Sequence, residues 1–345
     1  MDLVLYDPGL GYYSRRGDEA GFREVGRSGD FFTSVSVGET FGFLLAQRIV
    51  HEWEGRYKRP SPFVIVEQGG HDGRLARDIV AALRESGSPL AGNFEYRLVE
   101  PRPALREFLE RSFSLDPVEE IRIAPSLEEA RAEVGLFVCN ELLDAFPVDL
   151  ITFESGRWRE LRVAWDGPTG RPAWSPDELR PELAAFAADL GTNYPEGYRT
   201  EVCLAVDSWM AEAATLFKQG LWWIIDYGHE RDDYYPPERR DGTLRCYHAH
   251  RSGNDPFAFP GEQDLTADVD FTRVEEAALR LGLARRRFTD QHHFLIEAAK
   301  PWLLSLEGQA PGPATAKRLR QFQTLTHPSM MGQQFKILEL ERFNA

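Results

Sequence analysis

The run FVIVEQGGHDGRL at residues 63–75 constrains this chain more than any other stretch. Phe63, Val64, Ile65 and Val66 are apolar and mostly β-branched, as a strand buried on both faces requires. An acid, Glu67, then Gly69, Gly70 and Gly73 and a helix-like stretch follow at once. Strand, tight turn and helix in that order build the crevice at the carboxyl ends of an open α/β sheet. There glycines let a ligand approach the backbone, and helix amides meet an anion.

Two nucleotide-like ligands compete for such a turn. A dinucleotide needs Gly-x-Gly-x-x-Gly; counting from Gly69, the third place is His71 and the sixth Arg74, so the hydride-transfer fingerprint fails. S-adenosylmethionine has no phosphate, and an acid with backbone groups can hold its amino-acid end. Glu67, Gly69 and Gly73 keep the acid and outer glycines of a looser Glu-x-Gly-x-Gly-x-Gly turn, with His71 at its centre. A histidine takes unusual backbone angles more readily than a β-branched residue. A plain strand-to-helix turn suits the same residues. The second strand, 94–100, ends in Glu100, 27 residues past Gly73, where a ribose-binding acid stands in such folds. Two carboxylate oxygens can accept from both hydroxyls of a diol; an exposed acid at a strand end is the alternative.

Composition narrows the partners. The 345 residues suffice for one large domain with insertions or for two domains, and 42% hydrophobic with 28% charged residues suit a globular chain. Lys+Arg 40 against Asp+Glu 55 gives a net charge of −15, a field that repels phosphates and disfavours nucleic acid. That field suits a sulfonium or an arginine-bearing protein, or serves solubility alone. No apolar run reaches about 18 residues, so no membrane span is expected. With no secretory signal and with Cys139, Cys203 and Cys246 far apart, the expectation is a reducing, cytoplasmic location. His248, His250, His292 and His293 lack helical metal-ligand spacing, so no metal is expected.

In order, residues 1–54 read as an irregular lead-in and a first helix reaching about Trp53. Thr33 or Ser34 caps that helix, while Gly29, Asp30 and Phe31 form a turn that either folds over a cofactor or simply precedes the cap. Residues 55–345 read as the core, with insertions at about 151–200, 229–270 and 300–325. The patterns predict helices at 75–83, 103–112, 180–190, 200–218, 272–281 and 313–325. They predict further strands at 121–123, 136–139, 221–229, 294–296 and 335–340, and a strand-rich flap within 151–200. Asn140 and Glu141 follow the strand at 136–139, on the rim where polar groups reach a ligand. Glu141 and Asp144 share a face if a helical turn starts there; they then orient a guanidinium and help remove its proton, or merely cap the helix.

The segments YDPGLGYY (6–13), GDFFTS (29–34), VEPRPALR (99–106), NELLDAFP (140–147), DYG (226–228), GTLRCY (242–247) and DLTADVDF (264–271) stand in one order. In that order the chain resembles the MidA-like methyltransferases over nearly its whole length, with 151–200 and 300–325 matching only in position. That family includes a mitochondrial protein that assists assembly of respiratory complex I and methylates an arginine on one of its subunits. The resemblance implies an α/β, class I (Rossmann-like) methyltransferase fold: a seven-stranded, mostly parallel sheet with helices on both faces, plus insertions. It implies S-adenosylmethionine as cofactor, contacted by Gly29, Asp30, Phe31, Thr33, Glu67, Gly69, Gly73, Glu100 and Asn140. Glu141, Asp144 and Asp226 fall at the reactive rim as catalytic candidates. The chain departs from the family at Val35 and Ser36 (usually Pro-Glu), at Gly69, Gly70 and His71 (Gly-Pro-Gly) and at Phe43 (an acid), which marks a divergent branch. The implied activity is methyl transfer to a protein arginine. A non-catalytic assembly factor and a small-molecule methyltransferase are the alternatives.

Overall fold

The apolar run at 63–66 becomes a strand buried on both faces because its β-branched side chains fit a pleated surface covered on each side. In the computed structural model, which describes residues 1–14, 33–248, 251–308 and 310–343 and the backbone of 16–17 and 21–22, this strand lies inside the sheet, third from one edge. The main path of the sheet consists of β1 (Phe63–Gln68), β2 (Phe94–Val99), β3 (Ile121–Ala124), β4 (Ala132–Asn140), β5 (Phe217–His229), β6 (Ala284–Asp290) and β7 (Phe335–Arg342), and the two-residue strand Val269–Asp270 pairs with the end of β5 as an eighth. The spatial order along the main path is β3-β2-β1-β4-β5-β7-β6. β1 to β5 run parallel, and β7 runs antiparallel to both its neighbours. The expected mostly parallel Rossmann-like sheet is therefore observed, with the expected seven strands on its main path.

Register decides where the site falls. Glu67 of β1 stands opposite Leu98 of β2 and Val138 of β4, so these three strands end nearly level. The chain order reverses between β1 and β4, which makes their carboxyl ends the topological switch point where open α/β sheets bind ligands. Helices α1 (Thr40–Gly55), α2 (Arg74–Glu85) and α4 (Gln291–Ser305) bury Phe41, Leu45, Ile79, Leu83, Phe294 and Leu295 against Ile65, Val138, Trp223 and Ile225. The intervening α3 (Pro103–Leu115) sets Leu109 and Phe113 against Leu98, a residue outside that first core. A further helix, α5 (Pro313–Thr326), precedes β7.

Two compact units make up the chain, one of Glu24–Leu142, Met210–Tyr227 and Glu275–Ala345, the other of Met1–Arg23, Leu143–Trp209 and Gly228–Val274. The first carries the main path of the sheet just described. The second has an antiparallel sheet in the order Tyr198–Val202, Asp149–Glu154, Arg157–Asp166, Arg171–Asp177. Helix Pro181–Leu190 seats Leu183 and Phe186 with Ile151, Phe153 and Trp158 there. Glu201 ties this unit together from within: its carboxylate is buried and accepts the Thr243 N–H at 2.9 Å and the Leu244 N–H at 3.0 Å.

Three local readings are corrected. The strand expected at 294–296 lies inside α4, and the helix expected over 200–218 is a strand to Val202 followed by a helix only over Ala205–Ala213. No helical turn starts at Glu141; residues 141–146 form bends and turns, so the shared face for Glu141 and Asp144 does not arise.

Candidate active site

β1 delivers Glu67 to the switch point almost fully enclosed, at 2% exposure. Among the described residues one partner holds it: the Tyr96 hydroxyl of β2 donates to Oε2 at 2.5 Å. Burial raises the Glu67 pKa to about 7; the Tyr96 bond opposes the rise, while the charges of Asp72 and Asp78 add to it. A carboxyl poised near neutrality in a crevice is a feature of functional sites.

The turn after it is built for close approach. Gly69 and Gly73 have φ of 85° and 76°, left-handed values that an L side chain rarely takes, and His71 takes φ 44°. A Cβ on Gly70 would stand 2.4 Å from Leu98 Cδ1 and 2.8 Å from Glu67 Oε1. The Gly73 N–H closes the turn on the Gly70 carbonyl at 2.7 Å, and Gly73 caps α2. Burial holds the His71 imidazole below its ordinary pKa; Arg102 and Arg74 reinforce this, and Asp72 and Glu100 counter it.

Glu100, one residue past β2, is 1% exposed, and its carboxylate is held by Arg102 alone among the described residues. Oε1 accepts the Arg102 backbone N–H at 2.9 Å and Nε–H at 2.8 Å, and Oε2 accepts an Nη2–H at 3.0 Å. The expectation of a carboxylate with both oxygens open to a diol is thus altered by a neighbour two residues away.

β4 supplies the opposite rim. Asn140 Nδ2 donates to Glu141 Oε1 at 2.7 Å, and the Ser34 N–H donates to the same oxygen at 3.1 Å. Glu141 sits at φ 53°, a strained angle of the kind that clusters at functional sites. Asn140 Oδ1 is buried and accepts no hydrogen bond among the described residues. Asp226 is fully buried, and its oxygens accept the Leu142 N–H at 3.1 Å and the Tyr227 N–H at 2.8 Å, so it fixes the path of the rim. Ser34 Oγ donates to Gln291 Oε1 at 3.0 Å, anchoring the segment before α1 to α4.

The structure thus gathers Glu67, Gly69, Gly73, Glu100, Asn140, Glu141 and Asp226 at the carboxyl ends of the parallel strands. Thr33 lies in the same unit but is spent locally: its N–H donates to Ser36 Oγ and its Oγ1 accepts the Ser36 N–H, both at 3.0 Å. Asp144 belongs to the other unit, where its carbonyl accepts the Ala267 N–H at 2.9 Å. Gly29, Asp30 and Phe31 lie outside the described residues. Sequence reasoning missed Tyr96, Arg102 and Gln291, and it read Thr33 or Ser34 as the cap of α1, whose N-cap is Glu39. A phenol on the same face of its strand as Phe94 and Leu98 was the one usable signal, because a buried hydroxyl needs a partner.

These residues fit a sulfonium nucleoside. A turn whose glycines at 69, 70 and 73 have no room for a side chain or take left-handed backbone, buried carboxylates closing two neighbouring strands and an unsatisfied buried acceptor on a third match a ligand with an ammonium and a ribose. Among the described residues no group of three or more His, Cys, Asp or Glu is assembled to hold a metal, and no helix is long and apolar enough to cross a membrane.

Comparison with known proteins bears on the same site. The pattern of a family described as "Putative S-adenosyl-L-methionine-dependent methyltransferase" matches residues 44–289. The Drosophila melanogaster protein named protein arginine methyltransferase NDUFAF7 homolog, mitochondrial, is 28% identical over 99% of this chain and 80% of its own. The Homo sapiens protein arginine methyltransferase NDUFAF7, mitochondrial, is 27% identical over 99% of this chain and 78% of its own. A crystal structure of a Burkholderia thailandensis protein bound to S-adenosyl-homocysteine superposes with a TM-score of 0.83 at 30% identity, covering 99% of this chain and 86% of that one. The expected cytoplasmic location is overturned: the fly and human relatives are mitochondrial proteins and point there instead.

Proposed function

The chain belongs to the S-adenosyl-L-methionine-dependent methyltransferases whose pattern it carries, and on that footing we propose that its acceptor is an arginine guanidine nitrogen of a protein. The cofactor supplies a methyl group on a positively charged sulfur. The chain's own task is to hold an acceptor nitrogen in line, exclude water and manage the proton.

Glu141 carries this reading. Its carboxylate stands at the end of β4 with Oε1 already fixed by the Ser34 N–H and Asn140 Nδ2. An anion fixed in advance needs no reorganisation when a planar cation docks, and paired guanidinium N–H groups match a carboxylate. The nitrogen that gains a methyl sheds one proton, and Glu141 is the base that takes it. Asp226 acts at one remove, by holding Leu142 and hence the rim. The names of the fly and human relatives support the same acceptor.

The test is incubation of the protein with cell extract and methyl-labelled cofactor. The expected result is label in the protein fraction, recovered as methylarginine after hydrolysis. Label in small molecules, on another side chain, or nowhere overturns the proposal. Glu141→Ala is expected to lower turnover at least about a hundredfold while cofactor binding persists.

A further inference from the structure

Arg102 does to Glu100 what a ribose would do. A carboxylate offers about four acceptor directions, two on each oxygen. In this structure three are taken: Oε1 by the Arg102 backbone N–H and Nε–H, Oε2 by Nη2–H. The backbone N–H is part of the turn into α3, whose N-cap is Arg102, so it stays. The side chain contributes one donor to each oxygen. A vicinal diol also presents two neighbouring donors, one for each oxygen, and with the guanidinium in place Oε1 has no direction left.

The geometry points to Arg102 as a selectivity residue that reserves the Glu100 seat, so that a cofactor carrying an intact diol enters by exchanging its two hydroxyls for the guanidinium fork. The inference rests on the cofactor reading above. The exchange is balanced, two donors replacing two on the same oxygens. Without such a placeholder Glu100, at 1% exposure, would be a buried charge with only one backbone bond. Arg102 itself is 31% exposed, so its displaced guanidinium reaches water without unfolding anything.

Calorimetry with S-adenosylhomocysteine and its 2′-deoxy analogue tests this on the parent chain and on Arg102→Ala. Freed of competition, Arg102→Ala is expected to bind the ribose ligand about tenfold more tightly, as a regained bond to a charged acceptor implies. The deoxy analogue, which cannot replace both donors, is expected to change by less than about threefold. Arg102→Gln, which keeps a long polar side chain but no fork, is expected to move in the same direction and serves if the alanine variant folds poorly. Equal or weaker binding of the ribose ligand by the variants, or an equal change for both ligands, overturns the role of Arg102. A parent chain that binds neither ligand overturns the cofactor reading and the proposal with it.

Discussion

Replacing Tyr96 by phenylalanine tests the chemistry of the strand-end acid. Glu67 is 2% exposed, and the Tyr96 hydroxyl 2.5 Å from Oε2 works against the burial that raises its pKa to about 7. The titratable groups around it are Tyr96 on β2, Asp72 in the turn, Asp78 on α2 and Cys139 on β4, whose thiol burial pushes well up. A hydrogen bond to a charged group contributes about 1.5–3 kcal/mol, and a factor of ten in proton affinity is about 1.4 kcal/mol. Losing the hydroxyl therefore moves the Glu67 midpoint to about pH 8–9. The sign for stability follows from proton counting. Between about 4.5 and about 7 the unfolded chain has lost the Glu67 proton while the native chain keeps it. Stability from this group is thus complete at low pH, declines by about 3 kcal/mol as pH rises through that window, and is level above it. In Tyr96→Phe the decline continues to about pH 8–9. Cofactor binding moves oppositely, because an ammonium favours the ionised acid. Titration calorimetry with S-adenosylhomocysteine from about pH 6 to 8, where the ligand's own amino group stays largely protonated, reads this directly. The parent chain should gain affinity up to about pH 7 and then level, while Tyr96→Phe binds about five- to fiftyfold more weakly at pH 7 and still climbs at pH 8. Superimposable curves, or a parent affinity flat from pH 6 to 8, would refute the reasoning.

Three further outcomes follow from particular contacts. Gly73→Ala combines a φ of 76° with a Cβ 2.8 Å from the Phe113 ring, and should cost about 1–3 kcal/mol in urea unfolding and abolish the thermal shift caused by cofactor. Arg286→Ala removes both guanidinium bonds, at 2.8 and 2.9 Å, from the buried Glu52 and leaves it, among the described residues, Arg48 at 3.2 Å as its cation; the urea midpoint should fall by an amount equivalent to about 3 kcal/mol. Glu201→Gln weakens the acceptor that serves the Thr243 and Leu244 N–H groups, and should lower the melting temperature of the unit around it by the equivalent of about 2 kcal/mol.

Legibility tracked how local each determinant was. Phe63–Val66 and Leu221–Ile225 were readable as strands because long β-branched and aromatic runs have few other fates. The three-residue run at 294–296 was ambiguous between strand and buried helix; the decisive local sign was Asp290, whose Oδ1 accepts the His293 N–H at 2.9 Å and starts α4. The strand before it, β6, carries Arg285, Arg286 and Arg287 and shows no apolar alternation; it forms because the β7 edge offers a ladder and Glu52 meets Arg286. Tyr198–Val202 read as helical, yet alternate side chains Tyr198, Thr200 and Val202 are buried against Asp149–Glu154, a partner far away in the chain.

The site divides the same way. The places of the acids at two strand ends and of the glycines between them were legible in the sequence, because left-handed backbone and close approach admit few residue types at Gly69 and Gly73. Which neighbour holds each acid was not, since Tyr96 reaches Glu67 through sheet register and Ser34 reaches Glu141 across 107 residues. Hydrogen-bond partners and burial, and with them the proton affinity of Glu67 and the occupied state of Glu100, arise only when strands distant in the chain are brought side by side and water is excluded.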